Sequence, residues 1–106
     1  MNVGKAIIEV RTLKKMTTKQ LSKKSGILEI GMSNIESGLR QPTKTEVTKI
    51  CKALDVPKTA LVFYGLEDKD ISKSKKEIFK QLSPSIKDMI DALIKDKAPK
   101  KKAKKA

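Results

Sequence analysis

A chain of 106 residues suffices for one small domain with an appendage, and it buries only a thin core. Its 25 Lys and Arg against 12 Asp and Glu leave a formal net charge of +13, which repels itself unless a polyanion is near; nucleic acid is the leading partner and an anionic membrane surface the second. With no His and a single Cys, the composition excludes a His-based triad, a metal cluster and an internal disulfide, and no apolar run approaches the roughly 20 residues of a membrane span.

Five short helices are expected first. Asn2 is placed to cap a helix whose inner face carries Val3, Ile7 and Val10 at 3–4 spacing. Thr17-Thr18-Lys19-Gln20 reads as a capping box opening the second helix, with Met16 and Leu21 as its hydrophobic staple. That helix runs to about Ser25 and stops at Gly26, where a left-handed residue costs little. The third covers roughly Glu29 to Ser37, with Met32 and Ile35 inward, and ends at Gly38. Thr43 and Glu46 form a second capping box, leading into the buried stripe Val47, Ile50, Cys51 and Leu54. Cys51 is most simply a small core residue. Asp55-Val56-Pro57 breaks this helix, and a fifth spans about Lys58 to Tyr64 before Gly65 ends it.

The chain then turns polar from Leu66 to Lys73, as a linker would. Ser74 and Glu77 form a third capping box before Ile78, Phe79 and Leu82. Ser83 is read as the cap of a further helix with Pro84 at its first position. Leu82, Ile86, Met89 and Leu93 make an apolar stripe there, with Ile90 and Ile94 alongside, while Lys87, Asp88, Asp91 and Lys95 are assigned to the solvent face as i,i+4 partners. The Lys-rich end after Pro99 has nothing to build a core and is expected to be disordered when free. Residues 1–68 hold 12 basic and 7 acidic side chains, a net of +5, and residues 69–106 hold 13 and 5, a net of +8. The tail is therefore read as a non-specific DNA arm in preference to a plain solubiliser.

The strongest motif runs from Thr17 to Gly38: a capped helix, a glycine turn, and a second helix, packed through Leu21, Ile27, Met32 and Ile35. Such a pair can project its second helix into a major groove, although any small bundle has tight helix pairs. Residues 3–66 as a whole resemble the Cro/repressor-type (XRE) helix-turn-helix family, in register through five helices. The resemblance is carried by Val3-Gly4-Lys5 and Arg11, by Met16-Thr17-Thr18-Lys19-Gln20-Leu21-Ser22, by Gly26-Ile27, Met32, Ile35-Glu36 and Gly38, and by Pro42-Thr43 with Ala53-Leu54-Asp55-Val56. It implies an all-α, lambda-repressor-like DNA-binding domain at 1–66, then a linker at 67–73, a C-terminal helical extension at 74–97 and the disordered tail at 98–106.

The resemblance further implies that the outer face of the third helix reads bases. Glu29, Ile30, Ser33 and Asn34 stand there, with Gly31 between them. Asn34 suits adenine, Glu29 a cytosine amino group and Ile30 a thymine methyl. Thr18 and Lys19 fall where the family grips phosphate, and Ser37, Arg40 and Lys44 are further phosphate contacts. Arg11 and Glu36 match a family ion pair with a structural role. Two departures are evident: Thr18 stands where the family usually has Gln, and Leu28 replaces a hydroxyl N-cap, worth about 1 kcal/mol; Gly31 in mid-helix costs roughly another 1 kcal/mol relative to Ala.

The function expected is that of a cytoplasmic transcriptional regulator, a repressor that binds a palindromic operator in double-stranded DNA as a homodimer. The C-terminal stripe has three readings: extra core, self-association, or a surface for another protein, and self-association is favoured because one such domain reads only a half-site. The alternative function is a protein-binding adaptor, such as an antitoxin holding a toxin through those helices. An enzyme, a bound cofactor and a membrane partner are not expected.

Overall fold

The computed structural model describes residues 1–97. Five helices follow in close succession: α1 (Val3–Leu13), α2 (Thr18–Ser25), α3 (Glu29–Ser37), α4 (Lys44–Leu54) and α5 (Lys58–Gly65). After two single-turn 3-10 helices, Asp68–Asp70 and Lys73–Lys75, a long α6 covers Lys76–Lys97. The described residues are thus all-α. The Lys-rich segment 98–106, expected to be disordered, lies outside them.

The local signals account for where each helix starts and stops. The Asn2 side chain accepts from the Lys5 N–H at 3.0 Å. Two of the three expected capping boxes form completely: Thr17 with Gln20 and Thr43 with Glu46 each satisfy two backbone donors reciprocally. Gly26 (φ 79°) and Gly38 (φ 87°) close α2 and α3 in the left-handed region, where a Cβ is penalised. Lys15 (φ 56°) and Asp55 (φ 57°) hold the same conformation without glycine. Leu28 precedes α3 with no side-chain cap, as its apolar side chain dictates.

One core joins all six helices. Ile7, Val10, Leu21, Met32, Ile35, Ile50 and Leu54 are fully enclosed, each stabilised by about 1.5–3 kcal/mol through removal from water. α1 lies along α5 and crosses α3, while α2 packs on α3 and α4. Gly65 does not terminate α5 by its conformation. It is the last helical residue and buried, and a Cβ there would lie 3.0 Å from the Asn2 carbonyl oxygen. Its own carbonyl accepts from the Asn2 N–H at 2.7 Å, tying α5 to the start of α1.

The C-terminal part differs from the sequence expectation in three respects. First, the anticipated pair of helices is one helix with Pro84 inside it, and Ser83 is a helical residue rather than a cap. Proline costs α6 the hydrogen bond to the Lys80 carbonyl. Continuity is favoured because both halves dock: Phe79 lines a groove with Phe63 and Tyr64, while Ile90 and Ile94 pack on the core. Pro84 itself is exposed, so water reaches the freed carbonyl region. Second, Ser74 lies within a 3-10 turn and caps nothing. Third, Lys87 and Asp91 face the bundle rather than solvent. The Tyr64 hydroxyl donates to Asp91, Lys87 Nζ donates to Asp91 at 3.1 Å and pairs with Glu9 at 3.6 Å, and the ammonium sits 5.7 Å from the Tyr64 ring centre. Burial and the Asp91 carboxylate push the Tyr64 hydroxyl's pKa well above its ordinary value.

Candidate nucleic-acid interface

The candidate site begins with how α3 is held. Arg11 reaches across from α1: Nε donates to Glu36 Oε2 at 3.0 Å, Nη2 to Oε1 at 3.2 Å, and Nη1 to the Met16 carbonyl at 3.0 Å. Thr18 Oγ1 donates to the same Glu36 carboxylate at 3.1 Å. One largely enclosed anion therefore ties together the last turn of α1, the start of α2 and the end of α3. The fork geometry adds directional restraint that a single charge contact lacks. Beneath it, Gly4 lets the helices approach closely: a Cβ there would stand 2.5 Å from the Glu36 oxygen and 2.6 Å from the Ile35 oxygen.

The turn between α2 and α3 is held by buried serines. Ser22 Oγ donates to the Ile27 carbonyl, and Ser25 Oγ accepts from the Ile27 N–H at 3.3 Å. On the far side of α3, the Arg40 N–H donates to the Asn34 carbonyl at 3.2 Å. The Arg40 guanidinium forks onto Glu46 at 2.9 and 3.0 Å. That guanidinium, with help from the Thr43 N–H, lowers the Glu46 carboxyl to about 2. α3 is thus anchored by the Arg11–Glu36 fork and by the Arg40 N–H at Asn34, with the Arg40–Glu46 fork bracing the loop that follows it, and its remaining face is open.

The structure brings most of the expected base-reading residues onto that open face. Glu29, Ile30 and Ser33 are exposed and Asn34 is half-exposed, all away from the inward Met32 and Ile35. Gly31 lies off to the side. Its Cβ direction points at the Arg40 guanidinium, 3.3 Å away, so glycine there makes room for the Arg40–Glu46 fork.

The phosphate candidates divide. Lys19 and Lys44 project freely from the first turns of α2 and α4. Thr18 opens α2 as expected, with its hydroxyl donated to Glu36. The Ser37 hydroxyl donates to the Asn34 carbonyl at 3.1 Å. Arg40 is engaged by Glu46, leaving its outer edge to solvent.

Sequence reasoning missed two groups. Leu28, 77% exposed beside Ile30 at 73%, makes the start of α3 an apolar knob. The only signal available was the absence of a hydroxyl cap. Lys14, Lys15, Lys23 and Lys24 ring a shallow basic groove of about 400 Å³ with Met16 and Gln20. The two lysine doublets are visible in the sequence, but their meeting depends on α1 and α2 ending side by side. Among the described residues, no cluster of acidic or cysteine side chains suits a metal ion.

A capped helix, a glycine turn and a second helix fixed by ion pairs with its outer face bare define a helix-turn-helix DNA-binding fold. The helix-turn-helix family model matches residues 7–61, more than half of the chain. The chain belongs to that family, in its Cro/repressor (XRE) type, whose members are DNA-binding transcription regulators. No curated protein and no solved structure matches the chain. No helix among the described residues is long and apolar enough to cross a membrane.

Proposed function

We propose that this protein is a cytoplasmic, non-enzymatic transcriptional repressor that binds a palindromic operator as a homodimer. The observation that carries the reading is the bare face of α3, anchored by the Arg11–Glu36 fork and followed by a loop that the Arg40–Glu46 fork braces, with Glu29, Ile30, Ser33 and Asn34 facing outward. Asn34 contacts adenine, Ile30 packs on a thymine methyl, and Glu29 accepts from cytosine. Thr18 through its backbone, Lys19, Ser37, Lys44 and the outer edge of Arg40 hold phosphates and set the register. Residues 1–66 act as the reading unit, 67–73 connect it to the extension at 74–97, and the tail at 98–106 adds sequence-independent attraction.

Selection from a random-sequence DNA pool at two salt concentrations tests the proposal. An enriched palindrome, bound more weakly at the higher salt, is the expected result. Binding without enrichment refutes sequence-specific regulation. A second reading, an antitoxin-like adaptor that grips a toxin, is favoured by the apolar face that α6 leaves open; co-purification of a stoichiometric second protein supports it.

A further inference from the structure

α6 turns one apolar face to the bundle and leaves another open. Ile78, Leu82, Ile86, Met89 and Leu93 remain 38–61% exposed. By those exposures they offer roughly 100 Å² each, so a pair of such faces hides about 1,000 Å², at the lower bound of a specific interface. At about 500 Å² per chain the face is of the size of a monomer's largest apolar patch, which is often functional.

The order of these residues is what selects the occupant. About a centre between Ser85 and Ile86, four of the five stripe residues mirror one another, Leu82 with Met89 and Ile78 with Leu93, while Ile86 mirrors the small Ser85. A two-fold pair of identical helices requires that self-complementarity. On the open flank stand Ser85 and Ala92, whose small side chains allow close approach.

Charge supports the same occupant. Residues 76–97 hold five Lys against Glu77, Asp88, Asp91 and Asp96, a net of only +1 in a chain of +13. Two copies can therefore meet along α6 at a nearly neutral surface. A membrane surface or nucleic acid calls instead for a basic rim.

We infer that the open face of α6 pairs antiparallel with α6 of a second copy, crossing at Ser85 and Ile86, with Leu82 of each chain against Met89 of the other. This assignment rests on the homodimer reading above and supplies its interface. The stripe ends at Leu93, which also lines an apolar groove of about 430 Å³ with Val56, Pro57 and Ile90. The first turn of α6 from the second copy arrives at that groove.

Cysteine crosslinking without DNA tests the pairing. In the antiparallel pair Leu82 is offset from its own copy by seven residues, about 10 Å along the helix at 1.5 Å per residue, beyond disulfide reach. A mixture of Leu82→Cys and Met89→Cys chains should crosslink on mild oxidation while neither does alone, and Ser85→Cys should crosslink with itself. Cys51 is buried, and the unsubstituted chain serves as control. The unsubstituted chain should also sediment as a dimer, and the double variant Leu82→Glu, Met89→Glu as a monomer of unchanged helix content.

Crosslinking of Leu82→Cys with itself shows a parallel pair and overturns the inference. So does a monomeric unsubstituted chain at tens of micromolar, which leaves a different protein as the occupant. Loss of DNA binding with the pair intact would refute the regulator reading alone.

Discussion

Replacing Gly4 with Ala should destabilise the protein, against the usual trend for glycine in a helix. Alanine is worth about 1 kcal/mol over glycine in a helix interior. At Gly4, however, the added Cβ would lie 2.5 Å from the Glu36 oxygen and 2.6 Å from the Ile35 oxygen, both backbone atoms. Restoring an ordinary 3.4 Å contact needs a separation of α1 and α3 by about 0.9 Å. Overpacking of this kind costs about 1–3 kcal/mol, so the net loss is up to about 2 kcal/mol once propensity is subtracted. At roughly 4–8 °C per kcal/mol for a domain of this size, the melting temperature falls by up to about 15 °C. Gly31→Ala is the internal control. There the nearest atom is the far end of the Arg40 side chain at 3.3 Å, which can give by a few tenths of an ångström at some expense to its fork on Glu46, so the gain of about 1 kcal/mol in propensity is largely offset and the melting temperature should change little. Thermal unfolding followed by circular dichroism reads both. Gly4→Ala melting at or above the unsubstituted protein would refute the seating of α3 on α1.

Acid should weaken the fold between about pH 5 and pH 2. Glu46 is held at about 2 in the native state by Arg40, so its contribution is present above its unfolded pKa and vanishes as pH falls through the native value. Glu46→Gln should flatten that part of a stability-versus-pH curve, and an unchanged curve would remove the Arg40 fork from the account. Asn34→Ala should cost about 1–3 kcal/mol on the best operator and relax preference at one base pair, measured by fluorescence anisotropy on single-base variants. Cys51 is buried and its thiol is pushed above its ordinary pKa by that burial, so alkylation of the native protein should be far slower than of the denatured chain. Rapid labelling under native conditions would place Cys51 outside the core.

Much of the bundle was legible because its signals are local. Two capping boxes, two left-handed glycines and a 3–4 apolar period each act within one helix, so α1 to α5 emerge at nearly their observed bounds. The Arg11–Glu36 pair spans 25 residues and came from family resemblance, which supplies what spacing cannot. Features set by tertiary contact were missed. Lys87 and Asp91 look like a solvent-side i,i+4 pair until Glu9 and Tyr64 are brought beneath them. Pro84 looks like a helix start because the penalty of placing it inside is visible locally, whereas the docking of both halves of α6 is not. Arg40 reads as a free cation because its partner lies six residues away, across a loop with no period. Gly31 likewise appears as a cost until the guanidinium beside it is seen.

On the proposed function, α3, presented by α1 and α2, is the surface that meets DNA. Backbone amide chemical shifts of the isotope-labelled protein, recorded while titrating a selected duplex of about 20 base pairs, test it most directly. The largest changes are expected at residues 17–20, 28–34, 37 and 40–44, with the inward face of α1 nearly silent. Changes confined to α6 or to the Lys-rich end, with α3 unmoved, would contradict it.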